Sequence, residues 1–210
     1  MPTWNELFTR DEFRWKNPHD QVVALVSILR ERGARRVLDL GCGAGRHTVY
    51  LAREGFEVSA TDIAENGLKL AREWLGRENL SAELKQSDIS HIPYPSDFFD
   101  AVISIYVIYH KTYADMQQVV AEIHRVLKPG GIALISLQSS RSWRYGRGQE
   151  IEPNTFILMN GADAGVPHHY SNLAEIADLF KHYAIRKIEQ EERFEESNRH
   201  SHWQVLVEKE

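Results

Sequence analysis

Val37-Leu38-Asp39-Leu40-Gly41-Cys42-Gly43-Ala44-Gly45-Arg46 is an apolar run, with one Asp near its end, that opens into three glycines at alternate positions. Thr48, Val49, Leu51 and Ala52 follow at helical spacing. The stretch predicts a buried strand, a tight glycine turn and a helix start. Glycine takes positive φ and lets a ligand approach the main chain. The helix N-terminus behind the turn offers free N–H groups at the positive end of a dipole. A nucleotide-like cofactor belongs over this turn.

Outward from the turn, strand and helix patterns alternate. Val22, Val23, Leu25, Val26, Ile28 and Leu29 repeat at helical spacing up to Gly33. Strands are predicted over 36–40, 56–61, 82–86, 101–106 and 132–137, with helices over 45–54, 68–75 and 116–127. Such alternation implies right-handed crossovers and a parallel sheet covered on both faces. Residues 138–170 break the rhythm and read as an insertion above the carboxyl edge of the sheet. A helix near 172–181, capped by Ser171 or Asn172, precedes two strands near 183–193 and 202–208 that read as an antiparallel pair.

The 210 residues predict one domain, 1–210, with 1–18 as an N-terminal lid and 138–170 as a substrate-pocket insertion. Trp4, Phe8, Phe13 and Trp15 in the first segment, and Trp143 and Tyr145 in the second, are large apolar groups that the sheet does not need. A formal charge of −5 argues against generic nucleic-acid binding. The single cysteine allows no internal disulfide and fits a reducing compartment. No apolar run approaches the ~18 residues of a membrane span. These features predict a soluble, cytoplasmic chain.

The spacing narrows the cofactor. A dinucleotide fingerprint reads G-x-G-x-x-G; here the third glycine comes one residue early, at Gly45, and Arg46 stands where glycine is needed. Asp39, two residues before G-x-G-x-G, makes the stretch resemble the first motif of class I S-adenosylmethionine-dependent methyltransferases. Phe98 to Ser104 resembles that family's fourth strand, and Leu127-Lys128-Pro129-Gly130-Gly131 the turn into its fifth. The resemblance covers about residues 20–140. It implies an α/β Rossmann-like fold with a mostly parallel seven-stranded sheet, an antiparallel last strand, and helices on both faces. It implies S-adenosyl-L-methionine as cofactor, which has no pyrophosphate to cradle but does have a cationic amine that Asp39 can orient. The run from Gly41 to Ala52 and on to Asp62 is similar to small bacterial methyltransferases of the tellurite-resistance and thiopurine type.

Asp62 closes the second strand, where an acidic residue can accept hydrogen bonds from both ribose hydroxyls; a helix cap is the alternative reading. The resemblance places Ile63 on the adenine face, Asp88 at the adenine amine with Ile89 on the ring, and Ile105 beside the methionine end. Gly41, Cys42, Gly43 and Gly45 form the turn. Cys42 reads as a small residue in a crowded turn rather than a nucleophile.

The acceptor side is less defined. Tyr109 and His110 follow the fourth strand at the edge where open α/β sheets bind ligands. Pro167-His168-His169-Tyr170-Ser171 precedes the next helix, so His168 or His169 returns to that edge. A neutral histidine can act as general base, so Tyr109, His110 and His168 are the candidate catalytic residues, with core packing as the alternative. His168, His169, His200 and His202 lack the neighbouring ligands of a metal motif, and no metal is assigned. Arg141, Arg144 and Arg147 read as a solvated loop, with an acidic substrate or RNA phosphate as the alternative. Glu189 to Glu196 reads as an exposed strand edge. The expected activity is methylation of a small-molecule acceptor by a monomer or homodimer, without membrane or nucleic acid. An RNA or protein methyltransferase, or a non-catalytic cofactor-binding module, are the alternatives.

Overall fold

The computed structural model describes residues 3–10, 14–161 and 163–210, so Phe13 lies outside the described residues. In chain order the elements are α1 (Trp4–Leu7), α2 (Asp20–Glu31), β1 (Arg36–Leu40), α3 (Arg46–Arg53), β2 (Glu57–Asp62), α4 (Glu65–Arg77), β3 (Glu83–Gln86) and β4 (Phe99–Ser104). There follow α5 (Tyr113–Val126), β5 (Leu127–Ser139), β6 (Gln149–Glu152), β7 (Thr155–Ile157), β8 (Pro167–Ser171), α6 (Leu173–Leu179), β9 (Tyr183–Glu195) and β10 (Asn198–Lys209).

The strands β3, β2, β1, β4 and β5 lie side by side and run parallel. β10 joins the other edge of β5 antiparallel, and β9 pairs with β10. These are the seven expected strands, with the reversal at the end where the sequence places it. Alternation along each strand divides the core into two layers. Leu38, Leu40, Val102, Ala133 and Ile135 face Met116, Val119, Val120 and Ile123 of α5. Val37, Ala101, Ile103, Ile132 and Leu134 face Val22, Leu25, Val26 and Leu29 of α2.

Residues 138–170 are more regular than their sequence suggests. β6 and β7 form an antiparallel pair, and β7 pairs with β8. β8 then joins β5 in parallel through Gln138 and Ser139, beyond the point where β4 pairs with it. These strands are three to five residues long, too short for a periodic signal to stand out. The α6 cap is Asn172, which accepts from Ala174 and Glu175 in a capping box.

Candidate active-site cleft

The glycine turn is anchored first by backbone hydrogen bonds. Gly41 and Cys42 donate their N–H groups to the Thr61 carbonyl at 2.8 and 3.0 Å, which locks the turn to β2. Gly41, Gly43 and Gly45 have φ of +77°, +53° and +88°. A Cβ at Gly43 would lie 2.8 Å from the Phe8 ring, and one at Gly45 2.7 Å from Ala71 Cβ. Gly45 therefore serves helix packing and, unlike Gly41, Cys42 and Gly43, does not line the cleft. The Cys42 thiol is buried, and burial beside Asp39 and Asp62 pushes it well above its ordinary range. A thiol so protected is no nucleophile.

Asp39 lies under the turn rather than in the cleft wall. It is buried, and its Oδ2 accepts the Thr48 hydroxyl at 2.6 Å. Burial raises its carboxyl to about 6. Asp62 reaches the cleft, and its two oxygens accept backbone N–H groups from Gly43 at 2.7 Å and Ala64 at 2.8 Å. Each oxygen keeps a lone pair for a further donor. Ile63, Ile89 and Ile105 line the same wall, and Ile63 is 48% exposed there. Asp88 also lines it, but Lys111 Nζ lies 3.1 Å from both of its oxygens. Burial alone would raise the Asp88 carboxyl; the Ser90 N–H and Lys111 hold it below its usual range.

The whole cleft has a volume of about 1090 Å³ and continues past the ends of β4 and β5. Tyr106 stands at the junction with φ +63°, a strained backbone for a tyrosine, and its N–H donates to the Ser136 hydroxyl. Its hydroxyl meets His19 Nε2 at 3.0 Å. The His110 ring lies 4.4 Å from Tyr109 and 4.6 Å from His168, centroid to centroid. Tyr109, His110 and His168 are thus brought together, as the sequence predicts.

His169 is not. Its ring is buried away from the cleft, with Nδ1 2.7 Å from the Thr155 hydroxyl, because β8 alternates its side chains. His168 Nδ1 faces the Val166 carbonyl at 2.9 Å, and Nε2 faces Asp163 at 3.0 Å. Both ring nitrogens of His168 are thus engaged. Burial opposes ionisation of Asp163, but His168 and Arg144 hold its carboxyl well below the ordinary range. His110 is the opposite case. Burial, with His168 beside it, keeps its imidazole well below the usual histidine range.

The N-terminal segment lies over the cleft. Trp4 packs edge-on against His110 at 4.8 Å. Asn5 accepts the Asn66 N–H and receives its side-chain amide, both at 2.8 Å. Trp15 stacks on the Arg46 guanidinium at 4.9 Å. Trp143 and Tyr145 line no part of the cleft: Trp143 packs on Arg147 and His200, and Tyr145 on Phe156 and Tyr170. Arg144 and Arg141 pair with Asp163 and Glu192, so these arginines are not a free basic patch.

Arg46, Lys111, Gln138 and Asp163 line the cleft unforeseen as site residues, as do Glu191, Arg193 and Glu195 from the β9–β10 hairpin; Tyr106 and Arg144 line it too. Glu191 and Glu195 therefore belong to the cleft rather than to a purely solvated edge. The available signal was length: two strands of 13 and 12 residues outrun the sheet and must project over its edge.

Residues 38–135 match the family model described as a methyltransferase domain. An uncharacterized methyltransferase of Synechocystis is 36% identical over 115 residues, 53% of this chain and 51% of that protein. A ubiquinone/menaquinone biosynthesis C-methyltransferase of Ralstonia pickettii is 31% identical over 149 residues, 69% of this chain and 60% of that protein. The chain thus spans about half the length of the curated relatives it matches. A SAM-dependent methyltransferase from Methanosarcina mazei superposes with a TM-score of 0.74 at 20% identity, over 84% of this chain and 92% of that one. TehB from Haemophilus influenzae superposes with a TM-score of 0.70 at 18% identity, over 99% of this chain and 68% of that one. These likenesses are of fold.

Proposed function

We propose, from the match of residues 38–135 to a methyltransferase-domain model, that the chain is a class I S-adenosylmethionine-dependent methyltransferase whose cleft transfers a methyl group to a small-molecule acceptor. The observation that carries this reading is one continuous cavity. It runs from the glycine turn, Asp62 and Asp88 to Tyr109, His110 and His168.

The residues fit S-adenosylmethionine. Asp62 has lone pairs left for ribose hydroxyls, and Ile63 offers an exposed apolar face for adenine. Asp39 is buried and feels the Arg46 charge without pairing with it directly, so the cofactor's ammonium would give it a close cation. Arg46 stands at the start of α3, close enough to Asp39 for the two charges to act on each other but in no direct ion pair among the described residues; it suits the cofactor's carboxylate. The cofactor supplies an electrophilic methyl on a sulfonium. Everything else falls to the protein: Tyr106 and Tyr109 orient the acceptor, His110 takes its proton, and Trp4 helps to exclude water. His168, with both nitrogens engaged, positions His110 rather than acting as the base.

A small acceptor suits a cleft walled by α1 on one side and the β9–β10 hairpin on another. Among the described residues no helix is long and apolar enough to cross a membrane. The reading includes one domain with residues 1–18 as lid, a cytoplasmic setting, and a monomer or homodimer.

Calorimetric titration is the test. S-adenosylhomocysteine should bind with roughly micromolar affinity, about −8 kcal/mol, and Asp62→Ala should weaken it at least tenfold in a folded protein. Labelled cofactor offered with small amines, thiols and phenols should then yield a methylated product. Binding of NAD with none of S-adenosylhomocysteine would overturn the reading.

A further inference from the structure

The acceptor end of the cleft has cancelled charges. Asp163 lies 3.0 Å from both Arg144 and His168. Glu191 pairs with Arg193 at 2.6 Å, and Glu195, its side chain 79% exposed, stands at the solvent rim. An anionic acceptor would find its cations already engaged, and an ammonium acceptor its carboxylates. Arg46, in no direct ion pair among the described residues, stacks on Trp15 and Tyr106 beside the glycine turn and acts on Asp39, all on the cofactor side.

The walls are flat. The Tyr106 and Tyr109 rings lie 4.7 and 5.9 Å from His202, and Tyr109 stacks obliquely on His110 at 4.4 Å. Such walls accept a planar ring in offset or edge-on contact.

One polar side chain is left over. Gln138, near the end of β5, lines the cleft and is only 5% exposed. Its Oε1 is buried without a hydrogen-bond partner, and its amide bonds to no described residue. Buried amides are nearly always paired, and leaving one unpaired is costly. An amide both donates and accepts and carries no charge. It therefore complements a hydroxyl or ring N–H better than an ion.

We propose that this chamber takes an uncharged, planar acceptor bearing a hydroxyl or ring N–H, and that Gln138 sets this choice by hydrogen-bonding that group. Methylation at oxygen or nitrogen balances as follows. The acceptor's proton passes to the His110 imidazole, its lone pair forms the new bond to methyl, and the electron pair of the broken sulfur–methyl bond stays on sulfur. Gln138 is a specificity residue in this scheme and takes no proton.

The inference rests on the methyltransferase reading, so its test is run with S-adenosylhomocysteine already bound. The saturated protein is titrated calorimetrically at pH 7.5 with 2-naphthol, 2-naphthoate and 2-naphthylmethylamine, which share a ring system and differ in charge. Naphthol should bind at least tenfold tighter than either ion. Gln138→Leu should lower naphthol affinity about tenfold while keeping its S-adenosylhomocysteine affinity, which also reports that it folds. Equal or tighter binding of naphthoate or the amine overturns the proposal. So does binding of none of the three, or undiminished naphthol affinity in Gln138→Leu. Failure of S-adenosylhomocysteine to bind strikes the methyltransferase reading itself, and this inference falls with it.

Discussion

Asp39 is a buried carboxyl raised to about 6 by desolvation, with the Thr48 hydroxyl and the Arg46 charge pulling the other way. A cation placed beside it restores the carboxylate, so binding a ligand with an ammonium group releases a proton near and below pH 6. Linkage then fixes the sign. Affinity for S-adenosylhomocysteine should be flat above pH 7 and fall as the pH drops through 6, by up to tenfold per unit. In Asp39→Asn this part of the pH dependence should vanish while affinity at pH 7.5 drops. Calorimetry at pH 5.0, 6.0, 7.0 and 8.0 measures both; a wild-type affinity unchanged from pH 8 to 5 would detach Asp39 from the cofactor. Asp39 and Asp62 were legible in the sequence because each sits at a fixed offset from a strand end. Gln138, Asp163 and Glu191 were not. Their meaning depends on which residues the fold places opposite them, and no local spacing encodes that. His169 shows the same limit from the other side, since one residue of strand register separates it from His168 and sends it out of the cleft.

At the scale of elements, the glycine turn and α1 act on each other. Gly43 has φ +53°, donates to Asp62, and lies directly beneath the Phe8 ring. A valine here would be strained by its backbone and would push on Phe8, since its Cβ would lie 2.8 Å from that ring. The strain disturbs the Gly43–Asp62 hydrogen bond and the seating of Phe8 together. Gly43→Val should therefore lose at least tenfold in S-adenosylhomocysteine affinity while its far-UV circular dichroism stays that of the wild type. Normal binding by a folded variant would show that the turn does not hold the ligand. The turn could be read from sequence because strand, glycines and helix are contiguous. The short strands β6, β7 and β8 could not, because their pairing and their junction with β5 rest on contacts between distant residues. The β9–β10 hairpin was read as a pair of strands, but its reach over the cleft is a property of length against a sheet whose edge the sequence does not mark.

Across the whole molecule, the parallel sheet followed from the alternation of strand and helix patterns, because such alternation needs crossovers of one hand. What the pattern did not reveal is how many histidines the fold would bury. Burial holds His19, His47, His110, His124, His169 and His202 below the ordinary histidine range, with His202 near 4. The unfolded chain protonates these rings near 6.5, while the folded chain resists. Between about pH 6.5 and 4 the unfolded state thus binds more protons, and stability falls as pH falls, by up to about 1.4 kcal/mol per pH unit for each such group. Asp39 and Asp62 act in the opposite sense. Their raised carboxyls hold protons in the folded state that the unfolded chain has lost, Asp39 over the window from 3.8 to about 6. Six imidazoles against two carboxyls leave the histidines in control. Scanning calorimetry should show a Tm that is steady above pH 7 and drops steadily from pH 6.5 to 5. His202→Phe, which cannot take up a proton in either state, should drop less over the same interval. A Tm that holds or rises toward pH 5 would mean that these rings are charged in the folded protein. His110 would then reach the acceptor already protonated, unable to accept its proton.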